Sequence, residues 1–308
     1  MSLVHHVEGR TDVGREREHN EDALDHVALE GGQLLVVCDG MGGHEAGEVA
    51  SAVATRHLIQ ALQPVSGAAT PAPDVGEALE AALRGANEAV MAEADRTGRP
   101  TMGTTAVAAL VLGDQLWYGW VGDSRLYVFR KGELLQRSKD HTHVQRLVDM
   151  GVITLDEARH HPDSNVLVQA LGGGRGAQAE FAPSRVAAPF TLQQGDVVLL
   201  CSDGLYDRID DDEIYPIIAE QILGDALQSL VDEANRRGGY DNITVLMLIA
   251  GQDRVEPMLE GLRPVEPVMA VDESSARVWQ TRVARFAFPL LSGVGAGMAL
   301  SYWLRHRG

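Results

Sequence analysis

Six segments of the chain are short apolar or alternating runs closed off by glycine or aspartate: Leu34–Cys38, Thr104–Leu112, Gln115–Val121, Arg125–Arg130, Asp196–Cys201 and Asn242–Ala250. Their lengths and their β-branched and aromatic content predict strands. Gly113-Asp114 and Lys131-Gly132 interrupt consecutive runs and predict hairpin turns, so much of the sheet is expected to be antiparallel. Between the strand groups the apolar spacing becomes helical. After Gly43, residues Ala46, Val49, Ala50, Val53, Ala54, Leu58 and Leu62 share one helical face. Val75–Ala94 is rich in Ala, Leu and Glu, and Leu227, Leu230, Val231 and Ala234 form a third stripe ahead of a C-capping Gly238. Strands in hairpin runs, separated by helices, predict sheet packed on sheet with helices outside rather than a parallel βαβ array.

The pattern has two irregular stretches and one sharp change. Gln63–Asp74 is a loop by composition, and His141–Gly176, with its LGGGRG run, reads as an excursion over a site. From Gly251 the pattern weakens and Pro257, Pro264 and Pro267 appear. The expected organisation is a domain over 1–252, a linker over 253–285 and an apolar segment over 286–304. That last segment, Phe286–Leu304, is 19 residues without a charge, between Arg285 and the pair Arg305 and Arg307. As a helix it would span roughly 28 Å, close to a bilayer core. Gly293 and Gly297 form a close-packing G-x-x-x-G, and Tyr302 and Trp303 sit where interfacial aromatics belong. The segment predicts a single-pass C-terminal transmembrane helix. The N-terminus lacks the pattern of a secretory signal, so the remainder is expected at the cytoplasmic face of the membrane.

Composition narrows the function. The chain has 308 residues, 45% apolar and 23% charged, which excludes wholesale disorder. A net charge of −18 argues against nucleic acid as a partner, because neutralising phosphates needs a basic surface. An acidic chain can still handle phosphate if a metal supplies the positive charge. The two cysteines, Cys38 and Cys201, lie inside apolar runs and are expected to be reduced core residues.

The informative acids interrupt or adjoin the apolar strands. Asp39 ends LLVVC, Asp123 follows WYGWVG, Asp203 follows VVLLCS, Asp241 opens NITVLML, and Glu21 and Asp22 precede another expected strand. A charge at such a place is costly unless it is paired or metal-bound. No Lys or Arg is expected at equivalent strand ends, so a divalent cation is the economical neutraliser. The donors are all oxygen, which suits Mg²⁺ or Mn²⁺ better than Zn²⁺.

In order along the chain stand Arg17-x-x-Asn-Glu21-Asp22, Asp39-Gly-Met-Gly-Gly-His44 with Gly47-Glu48, Gly103-Thr104-Thr105, Val121-Gly-Asp123-Ser-Arg125, Ser202-Asp203-Gly204 and Asp241-Asn242. Together they resemble the metal-dependent Ser/Thr protein phosphatases of the PPM, or type 2C, family in its bacterial form. The resemblance covers residues 1 to about 250. It implies an α+β fold, a four-layer α-β-β-α sandwich of two antiparallel sheets flanked by helices. It implies two metal ions, Mn²⁺ or Mg²⁺, and a third, weaker one. Asp39 would bridge the pair and the Gly40 carbonyl would bind one of them. Glu21 would complete the second site, Asp203 and Asp241 would hold the first, and Asp123 with Asp203 would serve the third. Asp22 would orient water, and Arg17 would grip the substrate phosphate. Some family members carry His directly after the Asp-Gly. Here that residue is Met41, and His44, though near, is left out of the catalytic set. The implied partners are phosphorylated proteins, including a Ser/Thr protein kinase and its substrates. The competing readings are a non-catalytic binding module and a hydrolase of small phosphomonoesters or nucleic acids.

Overall fold

A computed structural model describes residues 3–43, 45–65, 72–173, 181–258 and 268–269. The chain opens with β1 (His5–Asp12), β2 (Asp22–Leu29) and β3 (Gly32–Met41), followed by α1 (Glu45–Leu62) and α2 (Ala72–Thr97). Next come β4 (Gly103–Thr104), β5 (Ala106–Leu112), β6 (Gln115–Val121), β7 (Arg125–Arg130) and β8 (Glu133–Arg137). The excursion that follows carries α3 (His143–Asp149), α4 (Leu155–Arg159) and β9 (Leu171–Gly172). Then come β10 (Ser184–Arg185), β11 (Phe190–Thr191), β12 (Val197–Cys201), α5 (Asp203–Tyr206), α6 (Asp211–Ile218), α7 (Leu223–Arg236), β13 (Ile243–Ala250) and β14 (Val268–Met269).

The strands form two sheets. One runs β1-β13-β12-β7-β8-β14; the other runs β10-β6-β5-β3-β4-β9, with β11 also on β6 and β2 on β3. The predicted antiparallel pairing holds with one exception, since β14 lies parallel to β8. Helices α1 and α2 pack on the second sheet through β3 and β6, and α7 packs on the first through β1 and β13, with α6 against α7.

The continuous apolar strands follow from this layering, because both faces of each sheet are covered. In β12, Val198 and Leu200 face the other sheet, while Val197, Leu199 and Cys201 join the core under α5, α6 and α7. Strand β13 divides in the same way: Leu246 and Leu248 belong to one core, Ile243, Val245, Met247 and Ile249 to the other. Each fully buried Leu or Ile of this kind contributes roughly 1.5–3 kcal/mol of transfer free energy. Both cysteines are fully buried and free, as expected. Helices α1 and α2 lie close enough that a Cβ at Gly85 would stand 2.5 Å from His57 Nε2.

Two stretches depart from the expected pattern, and a third lies outside the described residues. The excursion from His141 is anchored: α3 is capped by the Thr142 side chain, α4 carries a capping box from Thr154 and Glu157, and Thr142 pairs with Leu167. Within the expected linker, Val255 is fully buried, its N–H donates to the Gln221 carbonyl at 2.9 Å, and β14 pairs with β8. The expected transmembrane segment, Phe286–Leu304, lies outside the described residues, as does His44. Among the described residues no helix is long and apolar enough to cross a membrane.

Candidate metal centre

The six acids come from five chain segments that the two sheets bring to one end of the sandwich. Asp22 opens β2 and stands opposite Asp39 of β3 in register. Asp123 occupies the turn between β6 and β7, and Asp203 is the first residue of α5, directly after β12. Asp241 precedes β13, and Glu21 precedes β2.

Backbone packing fixes these positions. The Glu21 carbonyl accepts from Gly40 N at 3.2 Å and from Ser51 Oγ at 2.6 Å. A Cβ on Gly47 would fall 1.9 Å from Glu21 Oε2, and one on Gly40 would fall 2.2 Å from the Gly47 carbonyl oxygen. Only glycine lets α1 approach β3 and Glu21 so closely. Thr104 Oγ1 donates to the Asp39 carbonyl at 2.8 Å, and Thr105 Oγ1 accepts from Asp39 N at 3.0 Å. These two threonines therefore hold the Asp39 backbone in place.

The electrostatics of the cluster are those of carboxylates crowded without enough positive charge. Burial holds Asp39 well above the usual carboxylate range, and the charges of Asp22, Asp203, Asp123 and Asp241 raise it further. Asp203 is raised in the same way, by burial and then by Asp123, Asp207, Asp241 and Asp22. Burial lifts Asp22 to about 7 against bonds from Thr244 and Ser202, with the Asp241 charge adding to the rise. Asp123 is likewise pushed to about 7 by burial, then by Asp140, with Arg125 opposing. Asp39 keeps part of its surface open even though its carboxylate is desolvated, which is the arrangement of a cleft wall.

The donor set fits a hard cation. Asp203 Oδ1 is buried with no hydrogen-bond partner, an acceptor waiting for positive charge. Among the described residues no group of three or more His, Cys, Asp or Glu side chains is placed so that it could hold a metal ion as it stands. An all-oxygen donor set is the kind that Mg²⁺-like ions take, and such ions keep several waters and need few carboxylates each.

Arg17 lies at the rim, 48% exposed, and its Nη2 donates to Asp241 Oδ2 at 2.7 Å. The expectation of no Arg at equivalent strand ends is corrected by Arg125, the first residue of β7. Its guanidinium is buried and donates to Asp140 at 2.6 Å and to Asp211 at 3.2 Å. It also lies 3.5 Å over the ring of Tyr206, whose hydroxyl donates to the Asp123 carbonyl at 3.0 Å. Its charge is thus directed mainly to Asp140 and Asp211.

Two residues at the cluster have contacts that the sequence reading did not supply: Asn242, quoted there only as part of the Asp241-Asn242 motif, and Asp207, which was not singled out. Asn242 Oδ1 accepts from Glu21 N at 2.8 Å, while its Nδ2 donates to the carbonyls of Val13 and His19, both at 2.9 Å. One side chain therefore anchors the loop carrying Arg17 and Glu21. Asp207 adds a further carboxylate to the cluster, raised by burial against Arg125 and Arg208. The signal for Asp207 was present, since it falls one helical turn after Asp203 in DGLYD.

Comparison with known proteins agrees with this geometry. The protein phosphatase 2C family profile matches residues 12–236, and the chain belongs to that family. It is 37% identical over 268 residues to the serine/threonine protein phosphatase PstP of Mycobacterium tuberculosis, covering 85% of this chain and 48% of PstP. The chain thus spans about half the length of that curated relative. It is 36% identical over 249 residues to the serine/threonine phosphatase stp of Listeria monocytogenes, covering 79% of this chain and 95% of that one. The solved catalytic domain of PstP in complex with 2 manganese ions superposes with a TM-score of 0.68 at 36% identity, over 82% of this chain and all of that one.

Proposed function

We propose that this chain is a Mn²⁺- or Mg²⁺-dependent phosphatase that removes phosphate from Ser and Thr residues of proteins. The observation that carries the reading is the set of buried, mutually repelling carboxylates around Asp39 and Asp203, with the unpartnered Asp203 Oδ1 among them. Held there, two hard cations would supply the activated water and the positive charge that phosphomonoester hydrolysis requires.

In this reading Asp39 would serve both cations and the Gly40 carbonyl one of them; Asp203 and Asp241 would hold the first, Glu21 the second, and Asp123 with Asp203 a third. Asp22, held by Ser202 Oγ at 2.8 Å, orients water. Arg17 binds the substrate phosphate; its planar fork of donors can leave Asp241 for two phosphate oxygens. The substrates are products of Ser/Thr protein kinases, by analogy with the named relatives.

The test is hydrolysis of a phosphothreonine peptide with Mn²⁺, with EDTA, and by Asp39→Ala. Activity that needs Mn²⁺ and is lost in Asp39→Ala supports the reading. Turnover indifferent to EDTA or to the substitution refutes it. The anchor at the cytoplasmic membrane face rests on the apolar run Phe286–Leu304 alone. The full chain is expected in the membrane fraction and a chain ending at Asp272 in the soluble one; equal partitioning would remove the anchor.

A further inference from the structure

Beside the metal cluster stands an aromatic side chain that the proposed chemistry does not use. Tyr240 immediately precedes Asp241 and is 54% exposed, yet its ring is braced. The Arg208 guanidinium lies over it, 4.3 Å from the centroid. Gly238 supports it from another side: its φ is +129°, and a Cβ there would come within 2.7 Å of Tyr240 Cε2. The Arg208 carbonyl accepts from Arg237 Nη1 at 3.0 Å, and Arg237 is gripped in turn by Glu213 and Glu233, each at 2.6 Å. An exposed tyrosine is thereby held in one orientation by a chain of contacts running into α6 and α7.

Arg208 carries charge to spare. Among the described residues no carboxylate forms an ion pair with it, although Asp207 beside it feels its field. A guanidinium stacked on a ring keeps its edge donors available, and their fork matches a carboxylate. Arg208 follows Asp207 at the end of α5, whose first residue is Asp203, and Tyr240 adjoins Asp241. The pair thus adjoins in sequence two carboxylates of the cluster, and the Arg208 charge reaches Asp207 within it, in a chain whose net charge is −18.

We infer that Tyr240 and Arg208 form a specificity-determining contact for the peptide residue next to the phosphorylated Ser or Thr, selecting a side chain that ends in a carboxylate. The inference rests on the phosphatase reading and names the substrate class of that same site. The ring offers apolar surface to the short stem of Asp or Glu, and the guanidinium edge takes the carboxylate. A basic neighbour would meet Arg208 as like charge.

The experiment compares kcat/KM, with Mn²⁺ present, for phosphothreonine peptides that carry Glu, Ala or Lys immediately before or after the phosphoresidue. Nitrophenyl phosphate, which has no flanking residue, is the reference. An exposed ion pair predicts that the wild type favours a Glu peptide over its Ala counterpart by about two- to fivefold, expressed in KM. Arg208→Gln is expected to abolish that preference, and Arg208→Lys to keep part of it. Tyr240→Ala should lower kcat/KM for all the peptides relative to nitrophenyl phosphate. The inference is overturned if the wild type shows no preference for Glu, if Arg208→Gln retains it, or if the variants depress peptides and nitrophenyl phosphate alike. A wild type that hydrolyses neither nitrophenyl phosphate nor any peptide overturns the phosphatase reading, and this inference with it.

Discussion

Replacing Asn242 with Ala removes a buried side chain that ties the Arg17–Glu21 loop to the start of β13. Asn242 is 3% exposed and makes three hydrogen bonds at 2.8, 2.9 and 2.9 Å. Each bond contributes about 0.5–1.5 kcal/mol net, and leaving the buried Glu21 N–H without an acceptor adds a desolvation cost of about 1–3 kcal/mol. The expected loss of stability is roughly 3–5 kcal/mol, since such effects in one network do not add fully. In a domain of this size that lowers Tm by roughly 6–20 °C. Asn242→Asp is the sharper control. It preserves shape and the acceptor for Glu21 N, but turns a carboxylate toward the Val13 and His19 carbonyls, so it should cost at least as much. Urea and thermal unfolding of the metal-free protein measure both variants. A second readout is the Mn²⁺ concentration needed for half-maximal activity, which should rise because Glu21 is no longer held. If Asn242→Ala lies within about 1 kcal/mol of wild type, the argument that this side chain organises the site is wrong.

Asp203→Asn should raise the stability of the metal-free protein, because burial and neighbouring carboxylates disfavour the ionised form there. The same variant should lose both Mn²⁺-dependent activity and the Tm increase that Mn²⁺ gives the wild type; an undiminished Mn²⁺-induced shift would contradict the assignment. Gly47→Ala places a methyl 1.9 Å from Glu21 Oε2, so a large loss of Mn²⁺-dependent turnover is expected, and wild-type activity would show that Glu21 can move freely. Burial pushes the Asp211 carboxyl up, but Arg125 and Arg137 outweigh it and bring it down to about 2. A carboxyl lowered by folding contributes stability above its unfolded value of about 3.9 that is lost as pH falls through the folded one. Asp211→Asn should therefore be less stable than wild type by at least about 2 kcal/mol at neutral pH, with the gap closing between about pH 4 and pH 2. A pH-independent gap in urea midpoints would refute that account.

The strands of the core were legible in the chain because apolar runs bounded by Gly and Asp have few other uses. Gln115–Val121 and Arg125–Arg130 fall on β6 and β7 residue for residue, and α1 follows the stripe that begins at Ala46. The identities of the acids were legible too, since carboxylates at the ends of apolar strands are expensive without a partner. Less visible were β1 and the short helices α3 to α6. Strand β1 has no buried residue and alternates between half-buried and exposed ones, so it lacks an apolar run, and the short helices are held by caps and packing rather than by a periodic stripe.

Proximity belongs to the tertiary structure alone. Local sequence sets which residues are acidic, but the pairing of β2 with β3 and of β12 with β13 brings Asp22, Asp39, Asp203 and Asp241 to one end of the sandwich. Partner choice is decided at the same level. Arg125 is spent on Asp140 and Asp211, Arg17 reaches Asp241, and Arg208 is left stacked on Tyr240. Charge interactions depend on distance and on surrounding dielectric, and both are properties of the packed chain rather than of the order of its residues.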